Sequence, residues 1–65
     1  MKYTVTTPDG VVRHEGSNRR AAEALARAWA ASYQIGAKTT LTQEGVPWPV
    51  ARWHVDFFGK VRRNG

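Results

Sequence analysis

The sequence predicts an α+β fold: one helix packed on one face of a four-stranded antiparallel sheet, in the order β-β-α-β-β. Three observations predict it. Residues 2–16 have the pattern of a β-hairpin, residues 17–36 form an alanine-rich helical segment, and residues 50–58 alternate between apolar and polar side chains. Because a single helix covers only one side of a sheet, we expect the other side to remain uncovered.

The first predicted element is the hairpin in KYTVTTPDGVVRHEG. Lys2–Thr7 is rich in the β-branched and aromatic residues that favour strands, and the Pro-Asp-Gly sequence at 8–10 supplies the turn. Proline presets φ at the first turn position, and glycine accepts the positive φ that closes the turn. In the returning strand Val11 and Val12 point to opposite sides, so we expect a bulge at one of them.

The second predicted element is the helix in SNRRAAEALARAWAASYQIG. Ser17 or Asn18 can accept hydrogen bonds from the free amides at its start, and Gly36 can adopt the left-handed conformation that ends it. At about 100° per residue, one stripe of the helix faces the sheet. That stripe consists of Ala21, Leu25, Ala28, Trp29 and Ser32, with Ala22, Tyr33 and Ile35 at its margins.

The remaining predicted elements are two strands, AKTTLTQEG with Leu41 pointing inward and VARWHVDFF with a strict period of two. In the last strand the expected core side chains are Trp53, Val55 and Phe57. The residues between them face outward and are Arg52, His54, Asp56 and Phe58. We therefore expect a single domain over residues 1–58, followed by a short, frayed basic tail over residues 59–65.

Composition favours a binding protein over an enzyme. Ten Lys and Arg against five Asp and Glu give a net charge of +5 at pH 7 on only 65 residues, which favours acidic partners such as nucleic acid. The absence of cysteine excludes disulfides and cysteine-based zinc sites, and His14 and His54 are too few for a metal site. No nucleotide-binding glycine motif or catalytic constellation is present, so we predict no cofactor and no enzymatic activity.

Two arginines at the start of the predicted helix oppose its dipole. Arg19 and Arg20 stand where Asp or Glu would be favoured. One explanation is that the free amides and the guanidinium groups together hold a phosphate. The other is that both arginines point to solvent or pair with Glu15 or Glu23, and the sequence does not decide between the two.

Trp48 stands between two prolines, which stiffen the segment and suit a loop. The indole could dock on a base, on a partner or on its own sheet. Together with the basic tail GKVRRNG, these features give a candidate set of nucleic-acid-binding residues: Arg13, Arg19, Arg20, Trp48, Arg52, Lys60, Arg62 and Arg63.

The opening MKYTVTTPDGVVRHEGSNR, the alanine-rich helix and the later ARWHVDFFGK resemble the short orphan proteins encoded by bacteriophages of high-GC actinobacteria. Those proteins often begin with a YTV strand and a DG turn, followed by a Ser/Arg step into a helix. The resemblance implies a small intracellular phage protein that acts on host or phage macromolecules. It transfers no binding residues.

These observations predict a small non-enzymatic module that contacts DNA or RNA mainly through backbone phosphates. The alternative is a phage-encoded protein-interaction module that modulates a host protein through Trp48, Phe58 and surrounding arginines, since Trp and Arg dominate binding hot spots. A homodimer through the uncovered sheet face or a strand edge is a third possibility. The chain lacks a secretory signal and any apolar run approaching about 20 residues, so we expect a cytoplasmic protein without a membrane partner.

Overall fold

One helix and five antiparallel strands form an α+β fold in the computed structural model, which describes residues 1–64. The order of the strands across the sheet is β2-β1-β3-β4-β5, so β2 and β5 are its edges. The helix follows β2 and leads into β3, and it packs over one face of the sheet. The elements are β1 (Tyr3–Thr6), β2 (Val12–Gly16), α1 (Arg19–Ala30), β3 (Lys38–Gln43), β4 (Ala51–Val55) and β5 (Val61–Asn64).

The core lies between α1 and the three central strands. Val5 on β1 stands opposite Leu41 on β3, and Leu41 stands opposite Ala51 on β4. All three are fully buried, and Trp53 beside them is only 4% exposed. The prediction that Trp53 and Val55 belong to the core is therefore confirmed.

The helix faces the sheet through a different stripe from the one predicted. Its buried residues are Ala22, Ala26 and Ala30, whereas Leu25 is 39% exposed. Alanines spaced four residues apart form a flat row, which lets the helix backbone lie close to the strands. Close approach outweighs the burial of one leucine, so the predicted stripe was wrong: Ala22, predicted at its margin, is buried, and of its own members only Trp29 is half-buried.

The helix begins as predicted and ends earlier. The Asn18 side chain accepts a hydrogen bond from the Ala21 amide at 3.1 Å, which confirms the predicted capping at its start. The regular helix ends at Ala30, and turns carry the chain onward to β3. Gly36 has a positive φ of 86°, but it lies in that connection, where its amide donates to the Val55 carbonyl.

The chain turns after Val55, so Phe57, which was predicted to point inward, lies in the turn. The Asp56 amide donates to the Lys60 carbonyl and the Gly59 amide donates to the Asp56 carbonyl, which closes a tight hairpin. Phe57 is 90% exposed, so its assignment to the core was wrong. The turn chemistry of an aspartate and a glycine with positive φ overrides the alternation that precedes it.

The segment expected to be a frayed tail forms a fifth strand. Val61 of β5 stands opposite Val55, and Arg63 stands opposite Trp53. The predicted four-stranded sheet is thus corrected to five strands, and the predicted domain boundary at residue 58 falls inside the β4–β5 hairpin. Gly65, the end of the predicted tail, lies outside the described residues.

A bulge interrupts the pairing of β1 with β2, and its position explains where Arg13 goes. Val5 pairs with His14 and Thr6 pairs with Val12, which leaves Arg13 as the extra residue. The bulge falls one residue after the two predicted valines. It turns Arg13 toward α1, where its guanidinium carbon lies 4.4 Å from the centre of the Trp29 ring. Within residues 1–64 no helix combines the length and apolar character that a membrane crossing requires.

Candidate functional site

The sheet face that α1 leaves uncovered, here called the open face, carries hydroxyl groups and cations. Residues that pair across the strands point to the same side, so the registers give its rows directly. One row joins Lys38, His54 and Arg62 across β3, β4 and β5. The next row joins Thr40, Arg52 and Asn64, so the predicted outward direction of Arg52 and His54 is confirmed.

Four cations share the β3–β5 half of the open face, and we call them the basic face. Three of them, Lys38, Arg52 and Lys60, form no ion pair within residues 1–64. The fourth, Arg62, binds the Asp56 carboxylate through Nε at 2.7 Å, which leaves its two terminal nitrogens outside that pair. Four positive groups thus face one carboxylate, a local excess that favours a polyanionic partner.

The hairpin between β4 and β5 is held by Asp56. Its Oδ1 accepts hydrogen bonds from the amides of Phe58 and Lys60, each at 2.9 Å, and its Oδ2 accepts from Arg62. The hydrogen bond from Arg62, followed by that from the Lys60 amide, lowers the pKa of Asp56 below its ordinary value. The carboxylate therefore stays charged at neutral pH and fixes the tip, from which Phe58 projects with 85% exposure.

His54 stands in the middle of the basic face and is oriented by a neighbour. The Nδ2 atom of Asn64 lies 3.0 Å from its Nδ1 atom and can donate to it. That contact leaves Nε2 free to meet another molecule. No group of three or more His, Cys, Asp or Glu side chains within residues 1–64 is arranged to hold a metal ion.

Trp48 lies at the other end of β4 from the two phenylalanines. It is 64% exposed in the loop that joins β3 to β4, next to the Val50 amide that donates to the Leu41 carbonyl at 2.8 Å. Five residues of β4, or about 17 Å of strand, separate this loop from the β4–β5 tip. Trp48 and Phe58 are both accessible, and they lie too far apart to form one apolar patch.

Three of the candidate arginines lie on the helix side and are neutralised there. Arg63 contacts Glu23 at 2.6 Å, and Arg19 contacts the same carboxylate at 3.3 Å. Arg13 contacts Asp9 at 3.0 Å. The structure thus favours the pairing explanation for Arg19, while Arg20 is exposed at the helix start and has no ion pair within residues 1–64.

The candidate set therefore does not form one surface. Arg52, Lys60 and Arg62 come together on the basic face. Arg20 and Trp48 lie at the opposite end of the sheet, since the helix starts beyond the end of β2 and Trp48 follows the end of β3. Lys38 was missed, although Leu41 pointing inward already implies that Lys38, three residues earlier, points outward.

A second surface feature is a groove of about 250 Å³ between α1 and the β4–β5 hairpin. Its floor is Trp53, and the Arg63 guanidinium carbon lies 5.4 Å from the centre of that ring. The ion pair of Arg63 with Glu23 crosses the groove. This arrangement ties β5 to the helix and serves the fold.

Comparison of the chain with protein-family models, curated proteins and solved structures finds no match.

Proposed function

We propose that this protein is a small non-enzymatic binding module that contacts nucleic acid through its backbone phosphates, and that the basic face is the contact surface. The observation that carries the proposal is the grouping of Lys38, Arg52 and Arg62 on three adjacent strands, with Lys60 in the turn that leads into β5 and one carboxylate among them. Phosphate contacts supply most of the sequence-independent affinity of such modules. The proposal takes its location from the resemblance to actinophage orphan proteins, which implies the cytoplasm of an infected bacterium.

The remainder of the open face suits the same role. Its threonines Thr4 and Thr6 supply short hydroxyl groups of the kind that often bind phosphate oxygens. The hydroxyls of Thr40 and Thr42, by contrast, donate to the carbonyls of Thr6 and Thr4. Twisted antiparallel strands also present a broad and rigid surface along which a nucleic-acid backbone can lie. The helix is a poor candidate for reading bases, because most of its charged residues are engaged on the side of β5. Arg19 and Glu23 form ion pairs next to Arg63, and Arg27 lines the groove that contains Trp53.

The alternative is a protein-interaction module that modulates a host protein, and the exposure of Trp48 and Phe58 favours it. These two anchors would have to engage a partner separately, because β4 lies between them. Dependence on salt separates the two proposals, since phosphate contacts weaken steeply with salt and an interface centred on aromatic anchors responds little. A homodimer through the open face is disfavoured because it would bring two sets of cations together.

The test measures the binding of fluorescently labelled single-stranded DNA by anisotropy between about 50 mM and 200 mM salt. Four phosphate contacts predict a slope of log affinity against log salt of about −3. Replacing Lys38 and Arg52 by Ala should reduce the steepness of that slope by about one to one and a half and weaken binding at low salt. Both side chains lie outside the core and form no ion pair within the described chain, so folding should be unaffected.

The matched control is Arg20→Ala with Arg27→Ala, which also removes two of the ten Lys and Arg, but from the helix. The control should keep the slope of the parent protein. If both double variants lose the same affinity, binding depends on total charge and the basic face is not the site. A slope near zero for the parent protein would remove the phosphate proposal and favour the protein-interaction alternative.

A further inference from the structure

The least explained feature of this molecule is a pair of adjacent phenylalanines held in water. Phe57 and Phe58 are 90% and 85% exposed at the tip of the β4–β5 hairpin. A single exposed apolar residue is ordinary on a protein surface. Two consecutive large aromatics are not ordinary in a chain whose core cluster is four alanines, one valine, one leucine and one tryptophan, because either ring could have strengthened that core.

The tip that presents these rings is stiff. Asp56 accepts from two backbone amides of the turn and from Arg62, and Gly59 has the positive φ of 78° that closes it. The hydrogen bonds between Asp56 and Lys60 hold both ends of the turn together. Rings on a rigid backbone lose little entropy when they dock, so the arrangement is preorganised for contact.

The surroundings of the tip identify the chemistry of the partner. Lys60 follows the turn directly, and Lys38 and Arg62 stand in the nearest row of the open face. The basic face continues along β4 to Arg52, four residues or about 13 Å before Asp56. A partner that contacts all of these groups needs a line of negative charge along the strands and flat apolar surfaces at the end of that line.

We propose that Phe57 and Phe58 are a base-stacking site for single-stranded nucleic acid, whose phosphates lie on the basic face. This inference rests on the proposed function and adds the class of nucleic acid that is bound. Bases in a single strand expose their faces, and aromatic side chains stack on them without regard to sequence. In a duplex those faces are already stacked, so inserting a ring costs the unstacking energy.

The extent of the basic face argues against a membrane as the partner. A hairpin that dips its tip into a lipid surface gains from cations close to the tip, because attraction to lipid headgroups falls off within a Debye length of about 10 Å. Arg52 lies beyond that distance from the tip. Arg52 can instead contact a phosphate of a nucleic-acid strand that runs along the sheet.

The test compares two oligonucleotides of about ten units, one of thymidine and one with abasic sites throughout, so that both carry the same phosphates. The parent protein should bind the thymidine strand more tightly, and the double variant Phe57→Ala with Phe58→Ala should abolish that preference. We expect a loss of about 5-fold to 150-fold per ring for the thymidine strand, with the affinity for the abasic strand unchanged. The salt slope should also stay the same, because no phosphate contact is removed.

The control variant is Trp48→Ala, which removes an exposed aromatic from the other end of β4 and should keep the preference for thymidine. Thermal melting of all three proteins checks that each is folded. A preference lost in Trp48→Ala and kept in the phenylalanine variant would overturn the inference and assign stacking to the other loop.

Failure of the inference is distinguishable from failure of the proposed function. Equal affinity of the parent protein for both strands overturns base stacking and leaves phosphate binding intact. Binding of neither strand at low salt removes both proposals. Sedimentation with vesicles that contain phosphatidylserine is the third arm, and vesicle binding that depends on the two phenylalanines, with no preference for thymidine, would assign the tip to a membrane and overturn the inference.

Discussion

The two hairpins of this protein have the same backbone hydrogen bonds in their turns, but the surroundings of their tips differ. In the first, the Thr7 amide donates to the Val11 carbonyl at 3.0 Å and the Gly10 amide donates to the Thr7 carbonyl at 2.9 Å. In the second, the corresponding bonds join Asp56 to Lys60 at 2.9 Å and Gly59 to Asp56 at 3.0 Å. Because β1 and β4 both run antiparallel to β3, the two tips lie at the same end of the sheet.

The first tip is fastened to the rest of the molecule. The Asp9 carboxylate accepts hydrogen bonds from the hydroxyls of Thr7 and Tyr33, and Arg13 reaches both Asp9 and the ring of Trp29. Among residues 1–64 the second tip has no such tie. Its aspartate binds groups of its own hairpin, and its two central residues are phenylalanines in water.

The comparison shows that turn geometry and turn function are separable in this chain. Both turns are closed by an aspartate and a glycine with positive φ, so both are rigid. The residues around the two turns differ. Polar contacts, including that of Arg13 with Trp29, join the first tip to α1, whereas the phenylalanine rings of the second tip are exposed to solvent. Rigidity therefore stabilises the fold in one hairpin, and in the other it holds two exposed rings in place, as the proposed contact requires.

The largest expected effect comes from breaking the anchor of the second hairpin. Trp53 packs beneath α1 and is covered by Arg63, and Trp53→Ala should cost about 3–5 kcal/mol. A single core of this size supplies about that much stability, so the variant should be unfolded at room temperature. Loss of a cooperative thermal transition measured by circular dichroism would confirm it.

The matched variant is Trp29→Ala, which removes the tryptophan that faces Arg13 in the first hairpin. Trp29 is half-buried, so this variant should melt cooperatively at a lower temperature than the parent protein. The two hairpins would then differ in their anchors as well as in their tips. Equal losses in both variants would contradict the assignment of the core to the Trp53 side.

Sequence reasoning found the first hairpin, the helix start and the inward direction of Trp53, because each depends on local chemistry. Turn residues, a capping side chain and a period of two act over a few neighbours. It failed where two local patterns compete, as at Phe57, where alternation predicted burial and the turn prevailed. It also failed for the helix stripe, since the close approach of three alanines depends on the shape of the sheet below them.

The candidate site was predictable to a similar extent. Alternation alone places Arg52 on the open face, and the same pattern in β3 would have found Lys38. The neutralisation of Arg13 and Arg63 was not predictable, since it depends on a bulge and on an unforeseen fifth strand. Charge counts in sequence do not reveal which cations are already occupied by acids in the folded chain.

A smaller effect tests whether the two turns are equivalent. Gly10 and Gly59 have φ values of 83° and 78°, and a Cβ added at either position meets no atom within 4 Å. The cost of Gly→Ala is therefore conformational only, about 1–2 kcal/mol, and it should be the same at both tips. Replacement by Asn, which tolerates this conformation better, should cost less at each.

Urea unfolding of the four glycine variants measures this equivalence. Equal shifts of the two alanine variants would support a shared turn geometry, which the surrounding network does not alter. A cost at Gly10 that clearly exceeds the cost at Gly59 would show that the first turn is also under constraint from its contacts with α1.

The smallest effect should come from titrating Asp9, whose carboxylate holds the first tip in place. The hydrogen bond from Thr7 lowers the pKa of Asp9 from its ordinary 3.8 to about 2, assisted by the Val11 amide, Tyr33 and Arg13 against a partial opposing effect of burial. A lowered pKa means that the folded state favours the charged carboxylate. Its contribution to stability is therefore complete above the ordinary value and is lost as the pH falls from about 4 to 2.

Asp9→Asn removes this contribution and should flatten the fall of melting temperature over that pH range, with no change in slope near neutral pH. The fall should not vanish, because the pKa of Asp56 is lowered as well, first by Arg62, and its carboxylate titrates in the same direction. Asp56→Asn should reduce the fall further. Parallel melting curves for the parent protein and Asp9→Asn from pH 2 to pH 4 would mean that the first tip is no more firmly tied than the second, and the contrast between the two hairpins would then reduce to their phenylalanines.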